Sequence, residues 1–269
     1  MDRSGQGTSG QSRRRGLPQL RQRAPRAVIV RFGLDQLALL RAELGLERPL
    51  LVTTPRFASL ELPVARRFSG VQRHAPLDTV EEAEAAAAGA DSLVGLGGGS
   101  AIDTAKAVSA RRGLPLVCVP TTYAGAEWTS CFGMRDERQR LKTGGSGART
   151  VAIVYEPELT VTLSREESGG PAMNALAHCV EALYLGDLEQ ARRGQAGIRR
   201  FLPLVLEDGD DRRARRGLLE AARYAGEALS LRGLYLGHAM AQALGGRYGF
   251  RTAPSTRSAC LWPCASTPR

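Results

Sequence analysis

The sequence predicts an α/β half followed by an all-helical half, and three observations carry that expectation. Between residues 48 and 157, short runs of Val, Leu and Ile closed by turn residues alternate with helical stretches. That is the pattern of a parallel sheet covered on both faces. One of these runs ends in three consecutive glycines that open a helix. After about Ser164 the strand signal stops, and each longer segment has helical period.

In chain order, RPLLVTT (residues 48–54) reads as a buried strand, and VEEAEAAAAG (80–89) is a helix by propensity. SLVGLG (92–97), LPLVCVPTT (114–122) and RTVAIVYEP (149–157) are further short strands. PAMNALAHCVEALYL, EQARRGQAGIRRFLPLVLE, RRARRGLLEAARYAGEALS and GLYLGHAMAQALGG then follow as helices. The expected division is a basic disordered tail at 1–26, an α/β dinucleotide-type domain at 27–163, a partial helical domain at 164–249 and an aberrant tail at 250–269. The cleft between the two domains is the default site.

Bulk properties exclude several classes. Of the net charge of +10, eight arginines against Asp2 put +7 in residues 1–31, and three arginines put +3 in 251–269. The body, 32–250, is therefore neutral, which argues against a nucleic-acid-binding face. No apolar run approaches the roughly 18 residues of a membrane helix, and the start lacks a signal-peptide core. Five cysteines without a CxxC pair read as reduced thiols of a cytoplasmic protein.

Gly97, Gly98 and Gly99 sit at the carboxyl end of a strand, and Ser100 opens the next helix. Without side chains they let main-chain N–H groups approach an anion, and the helix end adds positive dipole. The spacing is neither GxGxxG nor the Walker pattern, so taken alone GGGS is equally a plain strand-to-helix turn. Asp103 and Lys106, taken alone, are expected on the surface. VPTTYAGAE (119–127) again puts Thr121, Thr122 and a glycine at a strand's carboxyl end, where open α/β sheets bind ligands.

GGGSAIDTAKA, PTTYAGAE and MNALAHCVEALY, in that order, resemble the iron-containing alcohol dehydrogenase superfamily and, within it, the maleylacetate reductase branch. The resemblance runs from about Ala27 to Gly249. It implies a Rossmann-like domain joined to a helical one, an architecture of the dehydroquinate synthase type, with NADH or NADPH across the cleft. Carried over, Gly97, Gly98, Gly99 and Ser100 would hold the pyrophosphate, and Thr121 and Thr122 would contact phosphate and nicotinamide ribose. Lys142 would lie near the ribose and Thr54 near the adenosine. A homodimer and a small dicarboxylate substrate are further expectations.

Departures from the dehydrogenase pattern carry information. Metal-dependent members place Asp and His at i and i+4 on one helical face, plus two more histidines. Here the pair is Asn174 and His178, His238 matches a third ligand, Gln242 stands where a further histidine is expected, and the PHG segment of the fourth ligand is missing. An amide is a weak, neutral ligand, so the resemblance implies a maleylacetate reductase without metal rather than an Fe2+ or Zn2+ alcohol dehydrogenase. An inactive nucleotide-binding remnant is the other alternative. A reductase of maleylacetate must stabilise two carboxylates and an enolate oxygen and must supply a proton. His178, His238 and Asn174 are the candidates, with Tyr123 as a phenolic donor; His74 matches no family position. Arg138 and Arg140 are expected on the surface.

The tail FRTAPSTRSACLWPCASTPR has no helical period. Codons can be chosen for RTAPSTRSACL that read PHGAINALCL one base earlier, the segment with which family members continue. The expectation is a frameshift that replaced the continuation, left the helical domain incomplete and exposed apolar helix faces. The alternative is a divergent short protein.

Overall fold

The computed structural model describes residues 28–136, 141–238 and 240. Six strands form one parallel sheet in the order β1-β8-β5-β4-β2-β3. They are β1 (Ile29–Phe32), β2 (Pro49–Thr53), β3 (Arg66–Phe68), β4 (Ser92–Gly97), β5 (Pro115–Pro120) and β8 (Arg149–Tyr155). The apolar runs anticipated from the sequence are β2, β4, β5 and β8, and β2 and β4 are buried along their whole length. The flanking strands were less legible. Two of the three residues of β3 are exposed arginines, so no apolar run marks it.

Successive residues of each strand point to opposite faces, and the two faces make separate cores. One face sets Leu51, Val94, Leu96, Val117, Val119, Ala152 and Val154 against Leu37 and Leu40 of α1 (Gln36–Leu44). The other sets Leu50, Val52, Leu93, Leu116, Cys118 and Ile153 against α2 (Leu77–Ala86) and α3 (Gly99–Arg112). Each buried Leu, Ile or Val side chain contributes about 1.5–3 kcal/mol. A two-stranded antiparallel hairpin, β6 (Phe132–Asp136) with β7 (Leu141–Gly145), lies outside the sheet and packs Met134 with Val80 and Ala107.

After a short α4 (Glu158–Val161), three long helices follow: α5 (Arg165–Tyr184), α6 (Glu189–Glu207) and α7 (Arg212–Arg232). The first starts at a capping box, in which Ser164 accepts the Glu167 N–H and the Glu167 carboxylate accepts the Ser164 N–H. The third is capped by Asp211, whose carboxylate accepts the N–H groups of Arg213 and Ala214. The core of the α2/α3 face continues without a break into these helices through Tyr123, Tyr155, Ala175, Cys179, Ile198, Leu218 and Ala225.

Large exposed apolar side chains gather where α5 and α7 end: Val180, Tyr184, Leu185, Leu231, Leu234, Tyr235, Leu236 and Met240. Tyr184 is 91% exposed. Among the described residues no helix is long and apolar enough to cross a membrane. The tails at 1–26 and 250–269, Gln242, Arg138 and Arg140 lie outside the described residues.

Candidate active site

The glycine turn closes β4. Gly97 has φ +142°, a backbone that side chains rarely adopt, and a Cβ on it would lie 2.8 Å from the Ala101 Cβ. Its carbonyl accepts the N–H of Thr121, which binds the turn to the end of β5. A Cβ on Gly98 would lie 3.1 Å from the Thr122 methyl, whereas one on Gly99 would meet open space. In the first turn of α3, the N–H groups of Ala101 and Ile102 donate to the Gly98 carbonyl, which leaves those of Gly99 and Ser100 without an intrahelical acceptor at the positive end of the helix dipole. The main chain is thus bare where an anion would seat.

Around this turn, the Oγ of Ser100 accepts the N–H of His74 at 2.9 Å. His74 and Ala75 have φ of 67° and 47°, so a strained loop is fastened to the start of α3. Thr54, half-buried, follows β2, next to Thr53, whose hydroxyl donates to the Leu96 carbonyl. Lys142 lies in β7 opposite Arg135, and its side chain is outside the described residues.

A second cluster begins on α5. Asn174 and His178 are one helical turn apart, and the Asn174 amide donates to the His178 Nε2 at 3.0 Å. The proton of a neutral His178 is then assigned to Nδ1. The ring of His238 stacks on that of His178, with centroids 4.1 Å apart and an interplanar angle of 8°. Both histidines are buried, and the His178 Nδ1 and His238 Nε2 have no hydrogen-bond partner among the described residues. Burial, and then the neighbouring His238, hold the His178 imidazole well below its ordinary pKa. The amide of Asn174 also reaches the Ala124 carbonyl at 3.5 Å. Ala124 belongs to the loop that carries Thr121 and Thr122, so the histidine pair and the glycine turn border one continuous wall.

Five residues have structural consequences that the sequence does not show: Lys106, Glu127, Tyr123, Arg215 and Glu181. Lys106 is not on the surface; it is 1% exposed, donating to the Ala126 carbonyl at 2.6 Å and to the Thr129 hydroxyl at 3.1 Å. Its ammonium stands 3.8 Å from Asp103, whose carboxylate accepts the Gly133 N–H of the β6–β7 hairpin. Burial raises the Asp103 pKa and Lys106 opposes the rise. The loop at residues 124–129 folds over α3, and this contact swallows the lysine.

Glu127, also buried, accepts the Tyr155 hydroxyl at 2.8 Å, and Trp128 Nε1 donates to the same hydroxyl. Burial pushes the Glu127 pKa up. Tyr123 requires a correction. Its ring is fully buried among the core side chains and its hydroxyl oxygen accepts from Arg215 at 3.1 Å, so the described residues place it in the packing between sheet and helices rather than on an open wall. Arg215, buried in turn, donates to Ser168 and to the Gly209 and Leu163 carbonyls and ties α7 to α5. Glu181 takes both the ring and the main chain of His238. Nothing local marks their buried contacts: Lys106, Tyr123, Glu127 and Glu181 stand inside the motifs quoted above, and Arg215 lies in a run of arginines.

Among the described residues, this cluster is a poor site for a divalent metal. The amide of Asn174 and the Nε2 of His178 bond each other, and Glu181 is committed to N–H donors. What is left for an ion is neutral nitrogen without a free carboxylate, a weak donor set for a hard dication.

Comparison with known proteins places this geometry. Residues 25–155 match the family model for iron-containing alcohol dehydrogenase. The chain is 37% identical over 244 residues to the maleylacetate reductase of Pseudomonas knackmussii, covering 83% of this chain and 68% of that one. The crystal structure of maleylacetate reductase from Rhizobium sp. strain MTP-10005 superposes with a TM-score of 0.80 at 31% identity, over 87% of this chain and 72% of that one. The maleylacetate reductase from Agrobacterium tumefaciens gives 0.78 at 30% identity, over 90% and 73%. The chain thus spans about two thirds of the length of the relatives it matches. A parallel sheet ending in a glycine turn, a helical half sharing its core, and similarity of this extent together make the chain a member of the iron-containing alcohol dehydrogenase family, on the side of its maleylacetate reductases.

Proposed function

We propose that the chain is a maleylacetate reductase, which uses NADH or NADPH to reduce the activated C=C of 2-maleylacetate to 3-oxoadipate. The observation that carries this reading is the buried histidine pair with two unpartnered ring nitrogens, beside Asn174 where metal-dependent relatives have a carboxylate. Its relatives' identity supports the substrate.

Gly97, Gly98, Gly99 and Ser100 would hold the diphosphate of a reduced nicotinamide coenzyme, which would supply the hydride when bound. Thr121, Thr122, Lys142 and Thr54 would line the rest of the coenzyme site. Reduction at the carbon β to the ketone leaves negative charge on the ketone oxygen as an enolate, and one proton delivered to the α carbon completes 3-oxoadipate. His178, kept neutral by burial, offers its Nδ1–H to the enolate oxygen. The Nε2 of His238 is the atom from which the proton is delivered, and Asn174 fixes the His178 ring through Nε2. In the same reading the protein works without a metal, as a homodimer in the cytoplasm, with no nucleic-acid or membrane partner.

The test is coenzyme oxidation by the purified chain, followed as loss of reduced-nicotinamide absorbance. Oxidation that depends on maleylacetate and survives a chelator supports the proposal. Alcohol oxidation that appears only with added Fe2+ or Zn2+ overturns it in favour of a metal-dependent alcohol dehydrogenase. Coenzyme binding without turnover of either substrate makes the chain an inactive nucleotide-binding protein.

A further inference from the structure

Asn174, His178 and Glu181 are spaced i, i+4 and i+7 on α5, so they share one face of the helix. His238, 57 residues further on, is laid against that face. Three donors converge on the Glu181 carboxylate: the His238 main-chain N–H at 3.0 Å, the His238 Nδ1 at 2.7 Å and the Tyr235 N–H at 3.3 Å. The segment bends so tightly round the carboxylate that a Cβ on Gly237 would lie 2.6 Å from Glu181 Oε1. A side chain there would have to push the carboxylate aside. The Glu181 side chain is 15% exposed and that of His238 4%, so water competes little for these bonds.

A carboxylate accepts and does not donate. The Nδ1 facing Glu181 therefore carries a proton in either charge state of the ring, and Nε2, buried and unpartnered, is the nitrogen whose protonation is free to change. We propose that Glu181 is the positioning residue for His238, fixing its ring orientation and tautomer so that Nε2 is the atom presented to the substrate. The role rests on the reductase reading above for its catalytic meaning, whereas the tautomer claim stands on this geometry alone. It is the device by which a carboxylate orients an imidazole in an acid–base pair, built here from one helix face and a returning strand of chain.

Replacement by an amide separates this from simple bracing. In E181Q only one of the two terminal atoms accepts, so the NH2 group meets either the His238 N–H, at the Oε1 position, or both the His238 Nδ1 and the Tyr235 N–H, at the Oε2 position. The backbone N–H groups cannot change, whereas the ring can shift its proton to Nε2 and accept through Nδ1. The chain has three histidines, so two-bond proton–nitrogen correlation spectra of the isotope-labelled full chain, assigned with H74Q and H178Q, report each tautomer directly. Expected for the unsubstituted chain is a His238 with protonated Nδ1; expected for E181Q is the opposite tautomer or a mixture. G237A, which keeps the carboxylate but pushes it away, is expected to loosen the same preference and serves if E181Q does not fold. In turnover with maleylacetate, E181Q is expected to lose about 100-fold or more in kcat, within the range a positioned acid contributes, with KM for the coenzyme little changed. E181D is expected to recover part of that loss. A His238 tautomer identical in the unsubstituted chain, E181Q and G237A overturns the positioning role. An altered tautomer in a chain that never turns over maleylacetate leaves the positioning role standing and sinks the reductase reading instead.

Discussion

Replacing Lys106 by methionine tests whether the burial of its charge is what fastens the loop at residues 124–129 to α3. The substitution keeps the length of the side chain and removes only the ammonium, so packing is nearly preserved. It leaves the Ala126 carbonyl without its 2.6 Å donor and leaves Asp103 without its cation. Breaking one side of a buried pair costs about 3–5 kcal/mol; Asp103 is a quarter exposed, which puts the expected loss near the lower end, about 3 kcal/mol. For a chain of this size that is a fall in Tm of roughly 6–12 °C. The pH dependence carries a sign. The Asp103 pKa is raised in the folded state by burial and held down by Lys106, so its contribution is full below the unfolded value and is lost as pH rises through the folded one. Without Lys106 the folded pKa rises further, and the loss with rising pH grows. Urea titrations of both proteins at mildly acidic and mildly alkaline pH are the assay, and the K106M deficit is expected to be larger at the alkaline end. A deficit below about 1 kcal/mol, or one that does not change between the two conditions, refutes the reasoning.

Three other outcomes follow from the same contacts. Gly194→Ala puts a Cβ 2.8 Å from the Cys179 Sγ and 3.0 Å from the Ala225 main-chain nitrogen; with backbone on one side, α6 must move away from α7, and thermal unfolding is expected to show a loss of about 1–3 kcal/mol. Gly97→Ala combines φ +142° with a 2.8 Å approach to Ala101. It is expected to cost about 1–3 kcal/mol of strain and to weaken coenzyme binding by calorimetry, while Gly99→Ala, facing open space, costs little stability and reports on binding alone. His178→Gln removes a group whose folded pKa is depressed by burial. Such a group contributes stability above its unfolded value, about 6.5, and loses it as pH falls toward the folded one. The substituted chain is therefore expected to lose less stability between neutral and acid pH than the unsubstituted one, measured by urea titration at several pH values.

Four of the sheet's strands were legible because a strand buried on both faces must be apolar along most of its length, and β2, β4, β5 and β8 each carry such a run. The edge strand β3 and the β6–β7 hairpin escaped for the converse reason: Arg66 and Arg67 are exposed, and the hairpin buries chiefly Met134. The glycine turn was legible as a backbone feature, since only glycine tolerates the conformation of Gly97 at the end of a strand. His178 and Asn174 announced themselves by helical spacing and by resemblance. Glu181 did not, although it stands three residues from His178 on the same face, because nothing local says that a segment 57 residues away will return its N–H groups to that carboxylate. That Tyr123 is buried with its hydroxyl accepting from Arg215 is likewise decided by a contact spanning 92 residues.

The amino-acid order by itself determined the parallel sheet, the glycine turn and the helical second half, because those depend on burial pattern and backbone freedom within a few residues. Which charges vanish into the interior, and which nitrogen of His238 is left free, were decided only when distant segments closed on one another. A lysine or a glutamate is exposed by default, and it is buried only where another stretch of chain brings the carbonyls or N–H groups that replace water.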